Sequence, residues 1–306
     1  MNGNGSTTGH KSPERLPDAA ALEYQWKSID WKKAEAEVNR LQTRIAKATQ
    51  EKKWNTVKRL QYLLTHSYYA KALAVRKVTT NKGKKTPGVD GEVWSTPAAK
   101  MRGVLTLTDK GYQAKPLRRV FIEKKGKKAK RPLGIPCMYD RAMQALYALA
   151  LDPVSETTAD TKSFGFRKGR CAQDACEYIF TALSRSFSPQ WVLEGDIKGC
   201  FDHISHDWLV EHIPMDKSVL KQFLKAGFVF REELFPTDEG TPQGGVISPI
   251  LANMALDGMQ QVLSDHFDLS VKGEVSAFVH NKSKVNLVRY ADDFKRDRRR
   301  GQRGHP

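Results

Sequence analysis

Val285-Asn286-Leu287-Val288-Arg289-Tyr290-Ala291-Asp292-Asp293 carries an apolar strand straight into two adjacent carboxylates. Side chains alternate across a strand, so Asp292 and Asp293 can share a face only if the chain turns there. Neighbouring negative charges repel, and the repulsion calls for a compensating cation. A tight turn holding two carboxylates beside a third from elsewhere is a divalent-metal site in outline. A solvent-exposed Asp-Asp turn is the plain alternative, and the dipeptide alone favours it.

The surroundings supply more strands and turns. Trp191-Val192-Leu193-Glu194-Gly195-Asp196-Ile197 reads as a buried strand that delivers another carboxylate. Further upstream, Arg118 to Glu123 and Pro132 to Pro136 flank the basic turn KKGKKAKR (residues 124–131) and read as a hairpin. The spacing of Ala34, Val38, Leu41, Ile45 and Ala48 predicts an amphipathic helix from Trp31, and a second helix follows from Trp54 to about Val75. NKGKKTPGVDG (residues 81–91) must be loop. Arg141 to Leu151 predicts a compact helix stopped by Asp152-Pro153, and Ala172 to Leu183 another. Ser205 and Ser248 read as N-caps, with Pro249 in the first turn after the second of them. Helices mixed with hairpin strands argue an α+β fold.

The chain has 306 residues, of which 40% are hydrophobic, enough to bury a core and to exclude disorder throughout. That length suits one large domain or two ordinary ones. No run reaches the ~18 apolar residues of a membrane span. The polar start MNGNGSTTGH lacks a signal peptide's apolar stretch, and the four cysteines form no C-x-x-C pair. A soluble, intracellular protein is expected. Its net charge of +17 is unevenly spread. Residues 1–136 hold 30 basic and 11 acidic residues, whereas residues 137–294 hold 15 and 22. A basic front neutralises phosphates and releases counterions, the main sequence-independent source of nucleic-acid affinity. Carboxylates in the acidic back can hold divalent cations.

The motifs, taken together, turn the argument. Tyr290-Ala291-Asp292-Asp293 resembles the catalytic motif of reverse transcriptases. Gly195-Asp196-Ile197-Lys198-Gly199-Cys200-Phe201-Asp202 resembles the family's other metal-binding motif, and Gly240-Thr241-Pro242-Gln243-Gly244-Gly245-Val246-Ile247-Ser248-Pro249 its P-Q-G-x-x-x-S-P segment. Ser163-Phe164-Gly165-Phe166-Arg167 and Arg131-Pro132-Leu133-Gly134-Ile135-Pro136 match segments of bacterial members. With the upstream helices and the TPGVDG loop, the resemblance over residues 30–294 is to proteins encoded by group II introns.

That resemblance implies right-hand polymerase fingers and a partial palm with an antiparallel sheet over residues 116–294. It also implies a helical RNA- and template-binding extension over 23–115, after a disordered start over 1–22. Two Mg2+ ions ~3.5–4 Å apart would serve nucleotidyl transfer. Asp196 and Asp292 would bridge them, with Asp293 beside and the Ile197 carbonyl as a further ligand. Phe201 falls where the family carries a steric gate against a ribose 2′-hydroxyl; an ordinary core aromatic is the alternative. The amides of Gly199 and Cys200 would meet the triphosphate, while the Cys200 side chain packs. Gln243 would lie beside the incoming nucleotide, and Arg119 and Arg131 over its phosphates. Lys124 and Lys125 would graze the template backbone. Arg167 and Arg170 would touch template phosphates, unless they serve structural ion pairs. His203, His206 and His212 lack a fourth ligand at zinc spacing, so packing or solvation is expected of them.

After Phe294 the run Lys295-Arg296-Asp297-Arg298-Arg299-Arg300 departs from the family's aliphatic strand. Charges cannot fill a buried arm. Residues 295–306 are therefore expected to be a disordered basic tail, with the thumb absent and the reading frame truncated. The implied function is RNA-directed DNA polymerase of group II intron type, with intron RNA binding, in a bacterial cytoplasm. Its partners would be RNA template, DNA primer, intron RNA and dNTP, with no membrane. A maturase-like splicing factor without synthesis is the alternative, and a retron enzyme a third reading disfavoured by the basic extension.

Overall fold

Asp18 accepts the Ala21 N–H at 2.7 Å and starts the first helix, α1 (Ala19–Lys27). Leu22 of α1 is fully buried, and Trp26 meets Trp31 edge-on at 5.1 Å. Helix thus takes residues 19–22 of the segment 1–22 expected to be disordered, because a cap and two apolar anchors offset the cost of fixing them. The computed structural model describes residues 17–123, 130–186, 188–267, 270–271, 274–275 and 285–298.

Asp30 caps α2 (Trp31–Gln50) through the Lys33 N–H at 3.0 Å. The stripe is buried at Ala34, Val38, Ile45 and Ala48 and half-buried at Leu41. The single helix expected from Trp54 to about Val75 is two, α3 (Trp54–His66) and α4 (Tyr68–Thr80), separated by Ser67 in an extended conformation. Beyond the loop comes α5 (Pro97–Thr106), with Thr96 as its N-cap.

The hairpin forms as β1 (Leu117–Glu123) and β2 (Lys130–Ile135), antiparallel with Arg119 opposite Gly134. Then α6 (Met138–Thr158) runs straight through Pro153 rather than stopping at it. Along the rest of the chain lie α7 (Ala172–Leu183), β3 (Trp191–Asp196), a 3-10 turn (Cys200–Asp202) and α8 (His206–His212), which Ser205 caps. They are followed by α9 (Lys217–Leu224), β4 (Phe228–Phe230), β5 (Glu233–Phe235), α10 (Ser248–Leu256) and α11 (Met259–His266). A two-residue pair, β6 (Ser270–Val271) and β7 (Glu274–Val275), precedes β8 (Asn286–Tyr290) and β9 (Asp293–Arg298). The N-cap of α10 is Ile247, one residue before the Ser248 expected there.

The fold is mixed α/β. One sheet has the order β2-β1-β4-β5, and it is not wholly antiparallel: β1 and β4 run parallel, with Leu117 opposite Phe228. The other, β3-β9-β8, is antiparallel throughout. Its central strand takes residues 293–298, so the start of the expected disordered tail pairs on both sides. The physical reason lies in β3, which is not the buried strand expected: Trp191 is 56% exposed, Val192 49% and Leu193 56%. Side chains on both faces of β3 meet solvent, so β3 is not the wall of a dry interior. One buried cluster, from Leu22 through Leu146 to Leu251, ties the helical front to α8, α9 and α10, and a second, smaller one joins Phe164, Ala175 and Val288. Among the described residues no helix is long and apolar enough to cross a membrane.

Candidate active site

The carboxylates come from two strands and the turn that joins one of them to its neighbour. Asp196 closes β3 and stands directly opposite Asp293, the first residue of β9. Directly opposed residues of an antiparallel pair project to the same face. Asp292 sits between β8 and β9, half-buried, and its carbonyl accepts the Ile197 N–H at 3.3 Å. Ala291 adopts φ +58°, a left-handed conformation that costs an L-residue on the order of 1 kcal/mol. The Asp293 carboxyl is pushed above its ordinary range, first by burial and then by Asp292, Asp196 and Glu194.

These hard oxygen donors and their mutual repulsion suit Mg2+. Among the described residues, however, no three His, Cys, Asp or Glu side chains are gathered closely enough to enclose an ion. The register sets Asp196 opposite Asp293, and Asp292, expected to bridge with Asp196, sits in the adjoining turn. Ile197 offers a carbonyl that already accepts the Cys200 N–H at 3.1 Å. The Cys200 amide is therefore committed inside the loop rather than turned to a triphosphate. Its side chain is buried, with the thiol pKa raised first by burial and next by Asp292. Gly199 begins the 3-10 turn in a left-handed conformation.

Phe201 is half-buried and meets Phe166 edge-on at 5.9 Å. Its carbonyl accepts the Thr241 N–H at 2.6 Å, which fastens the P-Q-G segment to the 3-10 turn. Gln243 carries the junction further. Its amide nitrogen donates to Asp202 at 3.3 Å, its side-chain oxygen accepts Arg131 Nε at 3.1 Å, and its carbonyl accepts the Gly134 N–H at 2.8 Å. Gly244 lies at φ +112°, where a Cβ would stand 2.7 Å from the Gly134 carbonyl oxygen; only glycine lets this turn close on β2. Arg119 stacks over Phe228 at 3.7 Å, with its pKa lowered by burial against the opposing pull of Asp202. Arg119, Arg131, Gln243 and Asp202 thus form one cluster. Asp202 had no role from sequence, and its only signal was a place in the quoted motif. Lys124 and Lys125 lie outside the described residues.

Arg167 takes the structural alternative. It is 9% exposed and forks onto Glu156 at 2.8 and 2.7 Å while donating to the Asp160 and Ser163 carbonyls. A guanidinium so enclosed is not presented to a template. Arg170 is half-buried, donates to the carbonyls of Thr161 and Ser163 and lies over Phe164 at 5.8 Å. The histidines are engaged separately: His203 with Glu239, His206 with the Gly240 carbonyl, and His212 stacked on Trp208.

Behind the Asp-Asp turn lies a buried polar node that sequence reading missed. Arg289 is 1% exposed; its guanidinium donates to Asn253 at 3.1 Å, to the Ala291 carbonyl at 3.3 Å and to Asp257 at 2.5 Å. Its backbone zips onto the S-F-G-F-R segment, giving its N–H to Lys162 and accepting from Phe164. Gly165 sits so close to the Ala291 amide that no Cβ fits there, and its carbonyl accepts from Asn253 at 2.9 Å. Burial raises the Asp257 carboxyl to about 6, with Arg289 pulling the other way. An arginine in the middle of an apolar strand was the available signal.

A family model described as N-terminal domain of reverse transcriptase matches residues 26–107, and one described as reverse transcriptase (RNA-dependent DNA polymerase) matches residues 122–295. The chain is 35% identical over 239 residues to group II intron-encoded protein LtrA of Lactococcus lactis subsp. cremoris, covering 75% of this chain and 38% of that protein. It is 33% identical over 268 residues to protein YkfC of Escherichia coli (strain K12), covering 78% of this chain and 70% of that protein. A putative COX1/OXI3 intron 1 protein of Saccharomyces cerevisiae is 30% identical over 212 residues, 66% of this chain and 25% of its own length. The chain therefore spans well under half of LtrA and of the yeast protein. Matched by both models and sharing ordered motifs that meet at one site, the chain belongs to the reverse transcriptase family, with group II intron-encoded proteins among its relatives.

Proposed function

We propose that this chain carries the RNA-directed DNA polymerase core of a group II intron-type protein, acting in a bacterial cytoplasm on an RNA template, a DNA primer and dNTPs. The observation that carries the reading is Asp196 opposite Asp293, with Asp292 in the adjoining turn. A pure binding protein has no physical need for three carboxylates in repelling proximity. Residues 116–294 are the fingers and palm, and residues 23–115 the template- and intron-RNA-binding extension.

Asp196, Asp292 and Asp293, with the Ile197 carbonyl, would hold two Mg2+ ions. Bound there, these supply the Lewis acidity that makes a 3′-hydroxyl nucleophilic and the charge that steadies pyrophosphate as it leaves. Arg119 and Arg131 bind the triphosphate, and Gln243 orients the nucleotide from beside Arg131. Gly199 lets the 3-10 turn come close to the phosphates. Phe201, backed by Phe166, crowds a ribose 2′-hydroxyl and favours deoxynucleotides. Arg170, Lys124 and Lys125 are the template-phosphate contacts.

A second reading is RNA binding that assists splicing without synthesis; the exposed Lys58, Arg59 and Tyr62 on the outer face of α3 serve RNA binding in either reading. Primer extension on an RNA template with Mg2+, run beside RNA filter binding, separates the two. Extension that vanishes in Asp292→Ala while RNA binding persists supports the polymerase. Firm RNA binding without extension supports the splicing factor.

A further inference from the structure

The Asp-Asp turn is held from behind by a side chain that no expectation assigned. Ala291 is left-handed, and its carbonyl is gripped by Arg289 Nη1 at 3.3 Å. The same nitrogen reaches Asn253 in α10 at 3.1 Å, and Nη2 reaches Asp257 just beyond that helix at 2.5 Å. Asn253 in turn donates to the Gly165 carbonyl, in the segment that presses on Ala291. One fully buried guanidinium therefore touches the turn itself, the helix after the P-Q-G segment, and through Asn253 the S-F-G-F-R segment.

We propose that Arg289 is a positioning residue: it clamps the Ala291 carbonyl in the left-handed turn and so aims Asp292 and Asp293 at the face that Asp196 occupies. The inference rests on the polymerase reading only for what the carboxylates hold. The clamp itself is a statement about the turn. Arginine suits the task because its planar fork serves several acceptors at once, which an ammonium on a flexible stem cannot do in fixed geometry. Burial makes the arrangement all-or-none, since removing one partner strands a charge.

That last point dictates the test. Arg289→Met alone would leave Asp257 buried and unpaired, and the fold would suffer. Arg289→Met combined with Asp257→Leu removes both charges together, an exchange that proteins often tolerate. Arg289→Lys keeps the charge and loses the fork. Three measurements on the full chain go together: thermal melting, hydrogen exchange of peptides covering residues 286–296, and Mn2+ binding by electron paramagnetic resonance with template–primer and dNTP present. The expected result is melting of the double variant close to the parent, faster exchange at the turn, and Mn2+ affinity weakened about tenfold or more, as when a group orienting metal ligands is removed. Arg289→Lys should show the same weakening.

Unchanged exchange at the turn in a folded double variant would overturn the clamp, whatever the metal does. Full Mn2+ affinity in Arg289→Lys would also overturn it, by reducing the role to charge. If the parent binds no Mn2+ that Asp292→Ala abolishes, the polymerase reading fails, and the exchange result alone decides the clamp. A double variant that does not fold would mark Arg289 as a structural residue and overturn the proposal as well.

Discussion

Gln42 in α2 donates to the carbonyl of Leu149 at 2.7 Å, and Leu149 lies four residues before Pro153. In an unbroken helix that carbonyl would receive the N–H of residue 153, which proline lacks. The side chain of a neighbouring helix supplies the missing donor, and α6 continues to Thr158 instead of ending. Gln42→Ala should cost about 1 kcal/mol, since it leaves a half-buried acceptor bare. In a Pro153→Ala background the same substitution should cost much less, since the backbone would supply its own donor. Denaturant unfolding of the four proteins in this cycle measures the coupling, and equal costs in both backgrounds would refute it.

The Phe201–Phe166 contact sets up a graded prediction. Phe201→Ala should admit ribonucleotides more readily, because nothing would then crowd the 2′-hydroxyl. Phe166, held at φ +60° and edge-on to Phe201, should matter less but in the same direction. Its substitution by alanine lets the gate ring tilt without removing it. Competition between ribo- and deoxynucleotides in primer extension gives the ranking parent, Phe166→Ala, Phe201→Ala. Equal discrimination in parent and Phe201→Ala would remove the gate.

A buried carboxyl away from the catalytic turn gives a pH prediction. Asp140 is 3% exposed and accepts from Tyr112 Oη at 2.8 Å and the Lys115 N–H at 3.3 Å. Burial, opposed by these hydrogen bonds, leaves its pKa raised to about 6. A folded pKa above the unfolded one means that the stabilising contribution is complete below about pH 4 and is lost as pH rises through about 6. Relative to Asp140→Asn, the parent should therefore gain about 2 kcal/mol between pH 7 and pH 4. Denaturant titrations across that range test it; a gap that stays constant or shrinks on acidification would contradict the assignment.

Local pattern carried the sequence reading a long way. The stripe of α2, the β1–β2 hairpin, the bounds of α7 and the Ser205 cap follow from periodicity and capping, which act within a few residues. What stayed hidden depends on partners distant in sequence. Pro153 stops a helix unless a Gln42 waits across the interface, and no local rule reveals that. Arg167 looked like a phosphate contact until Glu156 and two carbonyls filled its fork. The register that sets Asp293 rather than Asp292 opposite Asp196, and the placing of Asp202 against Gln243, are likewise tertiary facts. The charged strand β9 was misread because its charges were expected to exclude it from a strand arm, whereas its backbone pairs with both β3 and β8.

The basic front of the chain yields the last prediction. Lys58 and Arg59 are exposed on α3 beside Tyr62, an aromatic face next to two cations. Phosphate neutralisation releases counterions, so the logarithm of RNA affinity should fall linearly against log salt with a slope of about −0.7 per contact to a single strand. Replacing both cations, as Lys58→Gln with Arg59→Gln, should make that slope shallower by about 1.4 if each meets one phosphate. Tyr62→Ala should instead lower affinity at every salt concentration without changing the slope, because stacking displaces no counterion. Filter binding from low to moderate salt separates these effects. A double variant with an unaltered slope would show that RNA bypasses α3, and the charge excess of residues 1–136 would then have to act through other lysines.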